Sequence, residues 1–276
     1  MIPAPFDYEV ASSTEHAIEL LGERGEDAKL LAGGHSLLPL MKLRLAAPSV
    51  LIDIGRLRDL RYVRDAGDHV AVGALTTHEE VEQSELLRSQ VPLLAYTAGE
   101  IGDHQVRHRG TIGGSVVHAD PASDIPTVLL ALDAELVVQG PQGTRTLPAA
   151  GFWTGIFESQ LGPQEVLTEI RVPKVPGAGW SYQKFHQRAQ DWAIVGVAAQ
   201  ARNGSMAVAL TNMGETPLRA SGVEQALAGG ADPATAAEQA TEGTSPPDDA
   251  LASAAYRLHL ARVLTRRAIE EARSRR

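Results

Sequence analysis

The chain has 276 residues, of which 43% are hydrophobic and 21% are charged, enough for one large domain or two to three smaller ones. Its net charge of −9, with no broad basic block, argues against a nucleic-acid partner. The absence of cysteine excludes disulfides, a thiolate zinc site and an all-cysteine iron–sulfur cluster, so any electrons handled here need an organic cofactor.

The first half of the chain alternates short helices and strands. Apolar residues at helical spacing predict a helix over Thr14–Arg24, and the apolar run Ala28–Ala32 predicts a strand. Ser123 or Asp124 can cap a short helix that Pro126 helps to start. The remaining predictions are helix over 37–46 and, mainly, over 77–109 with an interruption at Pro92, and strands over Val50–Ile54, His69–Gly73 and Ala134–Val138. This alternation indicates α+β or α/β layering.

A stretch rich in proline and glycine, 172–179, is the best candidate for a domain boundary. Beyond it, three strands are predicted over Trp180–Phe185, Ala193–Ala201 and Met206–Thr211, and short turns between them favour an antiparallel sheet. An exposed loop around a short helix is expected over 229–249, and a closing helix over 250–272.

Two glycine-rich turns, Ala32–Ser36 (AGGHS) and Thr111–Ser115 (TIGGS), lead into new segments. Paired glycines let backbone N–H groups converge on an anion, and a following helix N-terminus adds partial positive charge. Because a pyrophosphate has two phosphoryl groups, two such turns suit it better than one. A Gly-Gly-Ser sequence is nevertheless usually an ordinary turn. Neither turn fits the GxGxxG fingerprint, so a nicotinamide cofactor is not indicated.

Four motifs in order carry a family resemblance: AGGHSLLPLMKLRLA, RHRGTIGGSVVHADPASDIP, EVLTEIRVP and YRLHLARVLTRRAIEEA. Together they resemble the FAD-binding medium subunits of the xanthine dehydrogenase family, and within it those of aerobic, molybdenum-containing carbon monoxide dehydrogenases. The resemblance covers essentially the whole chain. It implies an α+β flavoprotein with a two-subdomain, vanillyl-alcohol-oxidase-like FAD-binding fold over 1–54 and 55–177. A C-terminal domain over 178–276, with a three-stranded antiparallel sheet and helices, would follow.

The resemblance also implies which residues hold FAD. The pyrophosphate would lie between the two turns, and Asp124 would hydrogen-bond the cofactor. The full set is Ala32, Gly33, Gly34, His35, Ser36, Ile101, Thr111, Ile112, Gly113, Gly114, Ser115, Asp124, Leu167, Lys184 and Trp192. Ser115 stands where many relatives carry Asn, and Trp192 stands where carbon monoxide dehydrogenases typically have Tyr near the isoalloxazine.

Each of these residues also has an ordinary structural explanation. Ile101, Leu167 and Trp192 could be core residues, Asp124 only a helix cap, and Lys184 a solvated charge. No catalytic acid or base is expected in this chain. His104 and His108 are four residues apart, but no HExxH pattern accompanies them, so we expect surface or interface side chains rather than a metal site.

By resemblance, the chain accepts electrons from two [2Fe–2S] clusters of a small subunit, after a large subunit with a molybdenum cofactor has oxidised carbon monoxide. FAD then passes them to a quinone-type acceptor, in a dimer of heterotrimers. We expect a cytoplasmic location, where the complex can associate with the inner face of the membrane, since no apolar run spans a bilayer and no signal pattern is present.

Other functions stay open at this point. The large-subunit substrate could instead be a purine, another N-heterocycle or an aldehyde. The chain could also be a stand-alone flavin reductase similar to the enolpyruvyl-glucosamine reductases, or a non-enzymatic nucleotide-binding module. The absence of a GxSxG elbow disfavours a hydrolase.

Overall fold

The structure is a computed structural model that describes residues 2–275. Met1 and Arg276, the outer ends of the first and last predicted domains, lie outside the described residues. The first part of the fold consists of β1 (Asp7–Val10), α1 (Thr14–Arg24), β2 (Ala28–Leu31), α2 (Leu37–Lys42) and β3 (Val50–Asp53). Strand β3 lies between β1 and β2 and runs parallel to both. Helix α1 starts where the Ser13 hydroxyl accepts a hydrogen bond from the backbone N–H of His16.

The second part is built on an antiparallel sheet. Six helices precede the central strand of this sheet in the chain. Its elements are β4 (Val63–Asp65), β5 (His69–Gly73), α3 (His78–Gln83), α4 (Glu85–Gln90), α5 (Pro92–Gly99), α6 (His104–Arg109), α7 (Ile112–His118), α8 (Asp124–Ala131), β6 (Glu135–Gly140), β7 (Gly143–Pro148), β8 (Trp153–Gly155), β9 (Glu158–Ser159) and β10 (Val166–Pro173). The five strands of the sheet stand in the order β4–β5–β10–β6–β7, while β8 and β9 pair only with each other.

The third part is a second antiparallel sheet covered by helices. It contains β11 (Trp180–Phe185), β12 (Val195–Arg202), β13 (Ser205–Thr211), β14 (Leu218–Arg219), α9 (Ser221–Ala228), α10 (Pro233–Ala237) and α11 (Ala254–Ser274). The three predicted strands pair antiparallel, as β11–β12–β13, and the two-residue β14 extends the sheet at the edge of β13.

The α+β class predicted from the sequence is confirmed. Helix Thr14–Arg24 and strand Trp180–Phe185 have the predicted bounds, and Pro92 interrupts the helical region by starting α5 in its first turn. The prediction of helix over 37–46 was too long, because Arg44 has φ +62 and cannot continue a right-handed helix. The closing helix begins at Ala254 rather than at 250, since the Ser253 hydroxyl caps it.

Three hydrophobic clusters of buried residues hold the fold together. One includes Leu20, Ile52 and Leu75, a second surrounds β5, β10 and α8, and a third lies between the C-terminal sheet and α11. The division of the chain at 54/55 and 177/178 stays a prediction. Within residues 2–275, no helix has the length and apolar character needed to cross a membrane.

Candidate functional site

A cleft of about 1100 Å³ opens where the three parts of the fold meet, and both glycine-rich turns line it. The structure thus brings together two segments that are about 75 residues apart in the chain. Of the predicted site residues, the ones that line the cleft are Ala32, Gly33, Gly34, His35, Ser36, Ile101, Thr111, Gly113, Gly114, Ser115, Asp124, Leu167, Lys184 and Trp192. Ile112 is the exception, because its side chain is fully buried in the hydrophobic core.

The first turn is in direct contact with the two residues that lead into the second turn. A Cβ placed on Gly33 would stand 2.2 Å from the carbonyl oxygen of Arg109 and 2.9 Å from the Cα of Gly110. Only glycine permits this approach. Gly34 has φ +78, a left-handed conformation that favours glycine, so the first turn needs both glycines for different reasons.

The first turn presents free backbone donors to the cleft. Within residues 2–275, the N–H groups of Gly33, Gly34, His35 and Ser36 donate to no other protein atom. The Ser36 hydroxyl makes no capping bond to α2. A group of unpaired N–H donors around a concave backbone is the arrangement that binds phosphate oxygens.

The second turn is different, and here the expectation of a second amide cradle was wrong. Ile112 N–H donates to the Thr76 carbonyl at 2.9 Å, and Gly113 N–H donates to the Ala74 carbonyl at 2.9 Å. Gly114 N–H donates to the Thr111 hydroxyl at 3.1 Å, which caps α7. The second turn therefore offers the cleft the exposed, side-chain-free backbone of Gly114 and the hydroxyl of Ser115, rather than a set of free amides.

A buried ion pair stands in the wall of the cleft. Lys184 on β11 donates to Asp124 Oδ2 at 2.8 Å and to the Glu100 carbonyl at 2.9 Å, and both charged side chains are only 5% exposed. The Tyr182 hydroxyl donates to Asp124 Oδ1 at 2.5 Å. Burial raises the pKa of the Asp124 carboxyl, although Lys184 opposes this, and burial together with Asp124 raises the pKa of Tyr182 well above its ordinary value.

This ion pair corrects two of the simpler interpretations of the sequence. Lys184 is not a solvated charge, and Asp124 is the first helical residue of α8 rather than its cap. Ser123 occupies the N-cap position but makes no side-chain capping bond. Residues from the second part and from the C-terminal sheet thus meet at one wall of the cleft.

Apolar side chains complete the cleft. Leu167 is buried and Ile101 is half-buried, and both pack with the core of the second part. Trp192 lies in the segment between β11 and β12 and is 54% exposed, so it is not a core tryptophan. An exposed indole at the edge of a cleft is free to stack on a planar ligand.

His78, which the sequence analysis did not single out, also lines the cleft. It follows Thr77, whose hydroxyl and backbone form a capping box with Glu80, and the sequence therefore marks it only as the first residue of α3. Burial, followed by the nearby positive charges of Arg107 and His35, lowers the pKa of His78 to about 4. Only the tertiary contact with the second turn reveals this residue.

His104 and His108, near the second turn, lie beside charged side chains. His108 Nδ1 lies 2.7 Å from a Glu79 carboxylate oxygen, and His104 Nδ1 lies 3.4 Å from the Arg107 guanidinium. Across the part of the chain that the structure describes, no group of three or more His, Cys, Asp or Glu side chains is placed to hold a metal ion.

The residues present fit a dinucleotide with a diphosphate bridge. A cleft of about 1100 Å³ is larger than the roughly 300–1,000 Å³ of most small-molecule sites. Free amides at the first turn suit the charged bridge, while Leu167 and Ile101 offer apolar surface to a ring system. A ligand that is polar at its centre and aromatic at its ends matches this distribution.

Comparison with protein families gives two matches that together span almost the whole chain. The family described as FAD binding domain in molybdopterin dehydrogenase matches residues 4–175. The family described as CO dehydrogenase flavoprotein C-terminal domain matches residues 180–272.

Individual relatives agree with these families. A carbon monoxide dehydrogenase medium chain of Hydrogenophaga pseudoflava is 42% identical over 99% of this chain and 98% of its own length. A 6-hydroxypseudooxynicotine dehydrogenase complex subunit alpha of Paenarthrobacter nicotinovorans is 38% identical over 99% of this chain and 96% of its own. Among solved structures, carbon monoxide dehydrogenase from Hydrogenophaga pseudoflava lacking the Mo-pyranopterin moiety matches with a TM-score of 0.97 and 43% identity, over 100% and 99% of the two chains.

Proposed function

The chain belongs to the family of FAD-binding domains of molybdopterin dehydrogenases, and from that premise we propose that it carries FAD in the cleft as the electron-transfer medium subunit of a molybdenum hydroxylase. The observation that carries the proposal is the row of backbone amides at the first turn that have no protein partner within residues 2–275, in a cleft that the second turn also lines. We further propose that the three parts of the fold correspond to the units 1–54, 55–177 and 178–276.

Each wall of the cleft has its own task in this proposal. The amides of Gly33 to Ser36 bind the diphosphate, and the Ser115 hydroxyl adds a donor from the opposite side. Asp124, held by Tyr182 and Lys184, accepts a hydrogen bond from the flavin or its ribityl chain. Leu167 and Trp192 contact the ring system. When bound, FAD supplies the redox chemistry, and the protein positions it and tunes its surroundings.

The composition of the chain supports partners that hold the metal centres. With no cysteine, this chain cannot ligate the [2Fe–2S] clusters that would deliver electrons, so a small subunit holds them. A large subunit with a molybdenum cofactor oxidises the substrate. We place the assembly in the cytoplasm as a dimer of heterotrimers that can associate with the inner face of the membrane and that reduces a quinone-type acceptor.

We propose carbon monoxide as the substrate of the large subunit, because the medium chain of Hydrogenophaga pseudoflava, 42% identical, belongs to a carbon monoxide dehydrogenase. A heterocycle-derived substrate is the second candidate. It is favoured by the 38% identity to a subunit of the 6-hydroxypseudooxynicotine dehydrogenase complex. The large subunit rather than this chain would contact the substrate, which explains why similar medium chains occur with different substrates.

The test is to purify the native complex, measure its molybdenum, iron and FAD, and add substrates anaerobically. We expect the flavin absorbance to bleach with carbon monoxide in the complete complex and to stay unchanged with the isolated chain. If only a heterocycle or an aldehyde bleached the flavin, that compound would replace carbon monoxide as the proposed substrate. Bleaching of the isolated chain by a nicotinamide dinucleotide would indicate a stand-alone reductase, and a native complex without FAD would overturn the proposal.

A further inference from the structure

The imidazole of His78 stands at the junction of the two glycine-rich turns. Its Cδ2–Nε2 edge lies against Gly110, where a Cβ would stand 3.0 Å from Cδ2 and 3.4 Å from Nε2. Gly110 in turn lies against Gly33 of the first turn, as its Cα would be 2.9 Å from a Cβ on Gly33. The backbone N–H of His78 donates to the Gly110 carbonyl at 3.0 Å, which fixes the ring beside the second turn.

One ring nitrogen of His78 faces the protein and has nothing to bind. Nδ1 is buried and has no hydrogen-bond partner among residues 2–275. His78 lines the cleft, and because Nδ1 is buried, the Cδ2–Nε2 edge is the side of the ring that is left to face a ligand there. Buried polar atoms are normally hydrogen-bonded, so the unpaired Nδ1 of His78 calls for an explanation.

The position of the ring proton follows from these surroundings. Burial keeps the imidazole neutral near pH 7, so it carries one N–H. An orphaned N–H donor is rarer in folded proteins than an orphaned acceptor. The proton is therefore expected on Nε2, and Nδ1 keeps the unused lone pair.

The neighbouring cation is already engaged. The Arg107 side chain donates to the Ile101 carbonyl at 3.1 Å and to the Gly102 carbonyl at 3.3 Å, and its Nε lies 3.0 Å from a Glu82 carboxylate oxygen. Arg107 is not among the residues that line the cleft. Because the amides of 112–114 are also used, the donors that remain for an anion on the second-turn side belong to side chains, namely the Ser115 hydroxyl and the His78 ring.

We propose that His78 is a further FAD-binding residue, which donates a hydrogen bond from Nε2–H to a diphosphate oxygen on the side of the second turn. This inference rests on the proposed function, because it needs FAD in the cleft. It assigns to a side chain the task that the second turn's backbone amides cannot perform.

The test measures FAD affinity of the full-length chain after removal of bound flavin, by quenching of flavin fluorescence. His78→Leu removes the donor, and His78→Gln is the matched control, because the Gln amide nitrogen can occupy the place of Nε2. A hydrogen bond to a charged group predicts that His78→Leu weakens FAD binding about 10- to 100-fold. We expect His78→Gln to stay within about threefold of the unaltered chain.

Measuring riboflavin affinity in parallel distinguishes the loss of a contact with the diphosphate from a general change in the shape of the cleft. Riboflavin has no phosphate, so its affinity should be equal in all three chains. FAD binding by His78→Leu at the level of the unaltered chain would overturn the inference, as would equal losses for FAD and riboflavin or equal losses in both variants. Should His78→Leu not fold, His78→Asn replaces it, because its amide reaches the place of Nδ1 but not that of Nε2. An unaltered chain that binds no FAD would instead overturn the proposed function.

Discussion

The two glycine-rich turns look alike in the sequence but have different physical roles. In the first turn, Gly33 to Ser36, the backbone N–H groups have no partner in the part of the chain that the structure describes. In the second, Thr111–Ser115, three successive N–H groups are bound to the Thr76 carbonyl, the Ala74 carbonyl and the Thr111 hydroxyl. The first turn leaves its amides available to a ligand, and the second is fastened to the loop that follows β5.

This difference shows that glycine alone does not define an anion site. In the first turn, Gly33 allows close packing against Arg109 and Gly34 has φ +78, yet the amides stay unpaired within residues 2–275. Gly113 in the second turn also allows close packing, since a Cβ would stand 2.6 Å from both the Cβ and the carbonyl oxygen of Ala74, but its amide is used. What decides the role is whether carbonyl groups from distant parts of the chain reach the amides.

The largest effect on stability is expected at the contact between the turns. In Gly33→Ala, the new Cβ would collide with the carbonyl of Arg109, and backbone cannot move aside as a flexible side chain can. We expect a loss of about 3 kcal/mol in the free energy of unfolding and a separation of the turns. Urea unfolding of the flavin-free chain measures this.

Gly22→Ala is the control for that substitution. Gly22 lies in α1, where a Cβ would meet only Gln164 side-chain atoms at 3.6 Å, an ordinary contact. Alanine should stabilise the helix there by about 0.5–1 kcal/mol. Equal free energies of unfolding for Gly33→Ala and Gly22→Ala would show that Gly33 is not in close contact with the backbone of Arg109.

The next largest effect is a pH dependence of stability, which arises from His78 beside the second turn. The pKa of His78 lies at about 4 in the folded chain, against an ordinary value of 6.5, because of burial and then the charges of Arg107 and His35. As the pH falls below 6.5, the unfolded chain binds a proton that the folded chain does not bind. The free energy of unfolding therefore decreases as the pH is lowered, by about 2 kcal/mol from pH 7 to pH 5.

Denaturation of the chain and of His78→Gln at both pH values isolates this contribution, because all other titrating groups are shared. The variant should lose about 2 kcal/mol less than the unaltered chain over the same interval. Identical losses would mean that the imidazole is accessible to protons in the folded chain.

Local patterns predicted much of the fold. Helical spacing after Ser13 gave the bounds of α1, and apolar residues between turns gave β11. No strand was predicted over β10, the central strand of the second sheet, where a register shift between Leu167 and Glu169 interrupts regular pairing. Glu169 is buried as well, which only its partners Tyr62, Arg64 and Arg171 make tolerable.

The site was predictable as a set of residues but not as a set of interactions. Family resemblance pointed to the residues of both turns and to Asp124, and all but Ile112 line one cleft. No local signal shows that the Ala74 and Thr76 carbonyls use the amides of the second turn. The burial of His78 is equally a property of long-range packing.

A smaller effect is expected from the cap that fastens the second turn. Thr111→Val keeps the shape of the side chain but removes the acceptor for Gly114 N–H. Loss of an N-cap predicts a fall of about 1 kcal/mol in the free energy of unfolding of the flavin-free chain. Thr111→Ser retains the hydroxyl and should recover most of it. A stable Thr111→Val chain would contradict the structural role given to this turn.

The smallest effect on stability, and the sharpest test of the comparison, is Ser36→Ala in the first turn. The Ser36 hydroxyl makes no capping bond, so the flavin-free chain should change by less than about 0.5 kcal/mol. FAD affinity should nevertheless fall about tenfold, since a donor to the charged diphosphate is lost. Ser205→Ala, at the exposed start of β13, should leave FAD affinity unchanged. If Ser36→Ala instead lowered stability and left FAD affinity intact, the first turn would be a structural clasp like the second, and the free amides would need another explanation.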